Sequence, residues 1–193
     1  MPSALVSQTL QGAVLSMTSN ILAQAISSYR DDKPFALNIS PVLKFAIFSI
    51  ISSPPNIVWQ SYLEDLFPTN VPASAPLKEK PAPASKASHT QLSKRNVLIK
   101  FLLDQTIGAV VNTLLFLVFM GYVNAPQTAK QGTWNIVGQE VKDKLYPMLK
   151  DGYKFWPAVS LTSFLWVPVD KRVVFGCAVG VFWGIYLSLA VGA

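Results

Sequence analysis

Residues 106–123 read TIGAVVNTLLFLVFMGYV, eighteen positions without a charged side chain. Eighteen helical residues rise about 27 Å, close to the roughly 30 Å of hydrocarbon in a bilayer. A core helix of a soluble protein shows a polar face at 3.6-residue spacing, and this stretch has none of ordinary width. Residues 173–191, VVFGCAVGVFWGIYLSLAV, repeat the pattern over nineteen positions. The 193-residue chain is 51% hydrophobic and only 13% charged, where soluble domains carry about 25% charged residues. Mean hydropathy is +0.36. The chain belongs in a lipid bilayer.

Outward from these two blocks, the sequence predicts an all-α integral membrane protein forming one domain over 1–193. Four full transmembrane helices are expected, near 4–29, 42–63, 96–123 and 173–191, with a short or tilted hydrophobic helix at 155–167. The first span carries Gln8, Gln11, Asn20 and Gln24, so it reads as a helix buried among others. Pro54 and Pro55 fall inside the second and remove two backbone donors, which predicts a helix break or sharp kink. Residues 68–93 are rich in Pro, Ala, Ser and Lys and read as a disordered polar loop. Residues 132–150 are amphipathic: Trp134, Val137, Val141, Leu145 and Met148 recur at helical spacing among Glu140, Lys142, Asp143 and Lys144. That pattern predicts an interfacial helix along the membrane surface or capping the bundle.

Charge is sparse and sits mainly in the connections. The net charge of +6 comes without a basic helix interleaved with aromatics, so no nucleic acid is expected, and membrane lipids are the expected surroundings. Cys177 is the only cysteine and His89 the only histidine, which leaves no ligand set for a metal. No Gly-rich nucleotide loop, Ser/His/Asp arrangement or paired carboxylates appear, so neither a cofactor nor enzyme activity is expected. Residues 1–11 lack the basic start of a secretory signal.

The third span holds the most informative residues. Lys100, Asp104, Gly108 and Asn112 follow one another at i+4, with Gln105 beside Asn112. On a helical wheel they form one polar stripe. A charge inside a span costs roughly 2.5–3.5 kcal/mol at mid-depth, so such groups face the bundle interior or water. Two readings stand at this point: the stripe lines a solute pathway, or Lys100 pairs with Asp104 while the rest glue helices together. Asn20 and Gln24, also four apart, present amides to the stripe or pack helices. Arg172 is the charged partner available to a carboxylate such as Asp104. Gly176, Gly180 and Gly184 form a small-residue ridge for close helix packing, within the chain or in a homo-oligomer. Trp59, Tyr62, Trp134, Trp156 and Trp166 are expected near the membrane interfaces.

These residues also resemble a known family, that of the twenty-two-kilodalton peroxisomal membrane protein and its mitochondrial inner-membrane relatives. The landmarks are Ser19-Asn20-Ile21-Leu22-Ala23-Gln24, then Pro55, Trp59 and Tyr62-Leu63, then Lys100 with Asp104-Gln105. They continue with Trp156-Pro157, Phe164, Val167-Pro168 and Arg172, and close on Phe182-Trp183-Gly184-Ile185-Tyr186-Leu187-Ser188. The chain departs from the family where Ser53-Pro54-Pro55 replaces a Gly-Pro, and where Ser160 and Ser163 replace a Gln and an Asn. The resemblance implies a pore or pore-like protein passing small solutes without ATP. Leu15-Ser16 and the closing segment are more similar to the peroxisomal branch, so a peroxisomal membrane is expected, with the mitochondrial inner membrane as the alternative. The rival class is a structural or adaptor membrane protein that recruits a partner through its polar loop.

Overall fold

The computed structural model describes residues 2–72, 90–126 and 132–190, with side chains beyond Trp183 left out of account. Helices dominate: α1 Pro2–Arg30, α2 Ile39–Leu66, α3 Lys94–Leu103, α4 Ala109–Asn124, α5 Thr133–Gly152, α6 Trp156–Trp166 and α7 Arg172–Ala190. A π-helical turn, Asp104–Gly108, joins α3 to α4 into one rod, and a 3₁₀ turn, Val169–Lys171, leads into α7. Helix ends follow local chemistry. The Asn38 side chain caps α2 by accepting from the Ser40 N–H, and Ser93 caps α3 by accepting from the Asn96 N–H. Pro157 sits in the first turn of α6, where its missing N–H leaves no bond unmade.

Two helices are long and apolar enough to cross a bilayer, Ile39–Leu66 and the rod Lys94–Asn124. Helices α1 and α7 stand where the outer spans are expected but fall outside that class. α1 is diluted by its amides, and the described side chains of α7 stop at Trp183. The interior holds many polar side chains beside an apolar cluster of Leu63, Val97 and Phe164. Lys100, Gln105, Ser49, Ser53, Ser160 and Arg172 are buried, while Leu43, Ile47, Ile50, Ile51, Val58 and Leu102 are exposed. In water each such exposed side chain forgoes about 1.5–3 kcal/mol of burial; against lipid it forgoes nothing comparable.

Three expectations change. α2 runs through Pro54 and Pro55 without the expected break. Proline's φ is already helical, so only the bonds to two carbonyls one turn back are lost, and helical turns continue on both sides of the pair. The loop at 68–93 is not free at its ends. Asn70–Pro72 (β1) pairs antiparallel with Thr90–Leu92 (β2), in register Asn70↔Leu92, and the Ser93 N–H donates to the Thr69 carbonyl at 2.9 Å. Residues 73–89, His89 among them, lie outside the described residues.

The amphipathic helix is the third correction. α5 does not splay out along the surface but runs antiparallel along α4. Tyr122 packs on Trp134 at 5.7 Å between ring centres. A Cβ added at Gly121 would lie 2.9 Å from Glu140 Oε2 and 3.4 Å from Val137, so α5 lies close against α4 here. One helix length away, the Tyr153 hydroxyl donates to the Gln105 carbonyl at 2.7 Å. The apolar stripe of α5 finds the apolar rod of α4, which buries Val137 to 2%. α6 then continues beside α3, so α5 and α6 together retrace the rod.

Candidate functional site

The π turn organises the site. Its Ala109 N–H bonds the Asp104 carbonyl five residues back, not the Gln105 carbonyl four back. The Gln105 carbonyl instead accepts the Tyr153 hydroxyl, which ties α5 to the turn. Widened turns of this kind recur at functional sites because they re-aim side chains. Asp104 opens this turn, its own N–H still bonded to the Lys100 carbonyl, and its side chain is half-buried between α2 and α6. Its Oδ1 accepts from Gln60 Nε2 at 3.0 Å and Trp59 Nε1 at 3.3 Å, and its Oδ2 accepts from Ser160 Oγ at 2.6 Å and Gln105 Nε2 at 3.4 Å. All four donors are neutral. Among the described residues Asp104 forms no ion pair.

Gly108 makes that arrangement fit. A Cβ there would lie 3.0 Å from Trp59 Nε1 and 3.1 Å from Asp104 Oδ1. Gly108→Ala is therefore expected to push the indole off the carboxylate and to cost about 1–3 kcal/mol, the range for overpacking. Thermal unfolding in detergent measures the loss, and an unchanged midpoint would show the indole shifting freely.

A second, separate cluster lies where α2 ends and α3 and α7 begin. Glu64 Oε2 accepts from Lys100 Nζ at 2.6 Å and lies 2.8 Å from Arg172 Nη1. Its carboxylate also accepts from the Thr69 N–H at 2.7 Å and the Thr69 hydroxyl at 3.0 Å. Lys100 Nζ donates to Thr69 Oγ1 as well, and Arg172 Nε donates to the Val167 carbonyl at 3.1 Å. Phe164 faces both cations, at 5.3 Å and 5.0 Å from its ring centre, a cation–π arrangement in a desolvated place. Lys100 is 0% exposed and the Arg172 side chain 4%. Because Thr69 leads directly into β1, this cluster also clamps the stem of the loop.

The stripe seen in the sequence is thus divided. Lys100 does not pair with Asp104, nor does Arg172; both cations go to Glu64. Gln105 and Gly108 stay with Asp104, and Asn112 is half-buried one turn beyond. Asn20 and Gln24 do not reach the stripe. Gln24 donates to Asn20 Oδ1 at 2.8 Å and to the Asn38 carbonyl at 2.9 Å, and accepts from the Asn38 N–H at 2.8 Å, clasping the α1–α2 connection. Among the described residues, nothing lies within 4 Å of a Cβ built at Gly176 or Gly180, and the surroundings of Gly184 lie outside the described side chains. Trp59 donates to Asp104. Sequence reasoning missed Glu64, Gln60, Tyr153 and the role of Ser160. The one signal available was that Glu64 stands a single residue after the apolar run of its span.

Comparison with known proteins adds the following. The model of the Mpv17 / PMP22 family matches residues 128–188, which hold α5, α6 and most of α7. PXMP2/4 family protein 3 of Dictyostelium discoideum is 28% identical over 182 residues, 94% of this chain and 81% of its own. Peroxisomal membrane protein PMP22 of Arabidopsis thaliana is 31% identical over 116 residues, 55% of this chain and 58% of its own. The rat mitochondrial inner membrane protein Mpv17 is 34% identical over 96 residues, 50% of this chain and 51% of its own. No solved structure matches.

Proposed function

Because this chain carries an Mpv17/PMP22 family domain over residues 128–188, we propose that it is a pore of the peroxisomal membrane, passing small solutes or metabolites passively. The relatives named for peroxisomal and mitochondrial inner membranes support the compartment and its alternative. In this reading α1, α2, the α3–α4 rod and α7 cross the bilayer, and α5 with α6 makes a broken fifth crossing. The observation that carries the reading is Asp104, a half-buried carboxylate within the uncompensated part of a span, held by neutral donors alone. Ionisable groups at that depth belong beside water or a partner. Purified protein in vesicles is expected to pass solutes up to a size limit across a graded series. Vesicles that stay impermeable and bilayers that stay silent at all voltages would overturn it.

Membrane lipids surround the chain in this reading, and copies associate through the open Gly176–Gly180 ridge. Gly180→Leu is expected to leave the fold intact and to lower the oligomer seen by light scattering in detergent. An unchanged mass would place the contact elsewhere.

The adaptor alternative has one observation in its favour, the firm clamping of the loop stem by Glu64 and Thr69. Deleting 73–88 separates the two. A pore is expected to conduct without those residues, whereas an adaptor that depends on them loses its partner.

A further inference from the structure

We propose that the outer face of α5 is the wall of the aqueous path, and that the path favours small anions. The proposal rests on the pore reading above. Gly121 beside Val137 and Gln105 beside Tyr153 set the same register, which places Asp143 opposite Leu115 and Lys150 opposite Gly108. The charges of α5 therefore stand level with 106–123, the uncharged stretch of the rod. Gln139, Lys142, Asp143, Tyr146 and Lys150 are exposed there, turned away from α4. A face of this kind at bilayer depth is untenable against lipid, at roughly 2.5–3.5 kcal/mol for each charge.

Water is the occupant that suits the face. Its charges are partly self-satisfied: Gln139 Nε2 donates to Asp143 at 3.0 and 3.1 Å, and Lys144 Nζ donates to Glu140 at 2.6 Å. Among the described residues no ion pair involves Lys142 or Lys150, which leaves the face with a positive excess. An open groove of about 540 Å³ lies over its first half, lined by Trp134, Asn135, Gly138, Gln139 and Lys142. One helix face is one wall; the same face of further copies supplies the others.

The test uses single cysteines at Gln139, Asp143 and Lys150 in a Cys177→Ser background, with Val111→Cys on the outer face of α4 as a lipid-facing control. A charged, membrane-impermeant thiol reagent is added to the full chain in bilayers. Labelling at all three α5 positions but not at Val111, with a severalfold fall in current, is expected. Current in the parent protein that labelling never alters would overturn the assignment of α5 while leaving the pore reading intact. Labelling of α5 in a parent that carries no current would overturn both. Protection at all three positions in a conducting protein would mean that α5 packs dry against a second copy, which also defeats the proposal. For the solute class, Lys142→Glu combined with Lys150→Glu is expected to move the reversal potential toward cations; an unmoved potential overturns the anion preference.

Discussion

Glu64→Ala is expected to be the most destabilising single substitution in this protein, by about 3–5 kcal/mol. The carboxylate is the anion shared by Lys100 and Arg172, and neither cation has exposure enough to turn to water. Removing one partner of a buried pair leaves the other charge desolvated, and here it leaves two. The Thr69 N–H and hydroxyl lose their acceptor in the same step, which frees the stem of the loop. Lys144→Ala is the control. Its partner Glu140 forms an i,i+4 surface-type pair with the lysine 59% exposed, worth about 0–1 kcal/mol. Denaturant unfolding in detergent micelles compares the two. Glu64→Gln, which keeps the shape and loses the charge, is expected to fall between them, and adding Lys100→Met is expected to recover part of the loss by removing one stranded cation. If Glu64→Ala cost no more than Lys144→Ala, the cluster would have to be hydrated, and its clamping role would fail.

Why Glu64 was hidden while Lys100 and Asp104 were legible is a matter of context. A lysine and an aspartate within a long apolar stretch stand out against hydrocarbon, whatever they bind. Glu64 and Asp65 sit at the end of their span, where charge is ordinary, and nothing local says that Lys100 reaches back to one of them. The wheel that joined Lys100, Asp104, Gly108 and Asn112 assumes 100° per residue throughout. The π turn inserts a wider step only after Asp104, whose N–H still bonds the Lys100 carbonyl; the stripe parts because Lys100 meets Glu64 while Asp104 meets Gln60, one turn apart on α2. Pro54 and Pro55 show the opposite failure, a strong local rule overridden by the intact turns around it. For α5 the periodicity identified the apolar face but not its partner. A surface and a neighbouring helix offer that face similar burial, so periodicity alone does not choose between them. The three-residue strands of the loop stem are too short to leave any periodic trace.

Asp104→Asn is expected to change what the protein passes more than how it folds. The asparagine oxygen can still accept from Trp59 and Gln60, and the Ser160 hydroxyl can rotate to accept from the new amide. The hydrogen bonds are largely replaceable, so the stability cost is about 1 kcal/mol. The charge is not replaceable, because every donor around it is neutral. A unit charge acts on an ion about 10 Å away with roughly 1.7 kcal/mol at an effective dielectric of 20. Since the charge favours a cation by as much as it disfavours an anion, and 1.4 kcal/mol is tenfold, the ratio of cation to anion permeability is expected to fall by about two orders of magnitude. The reversal potential across a bilayer with a salt gradient reads this directly, and the direction is toward anions. Asp104→Glu keeps the charge and should keep the ratio near the parent value even if conductance drops. A folded Asp104→Asn protein with an unmoved reversal potential would assign Asp104 to packing alone, and the ion preference of the path would then rest on the lysines of α5.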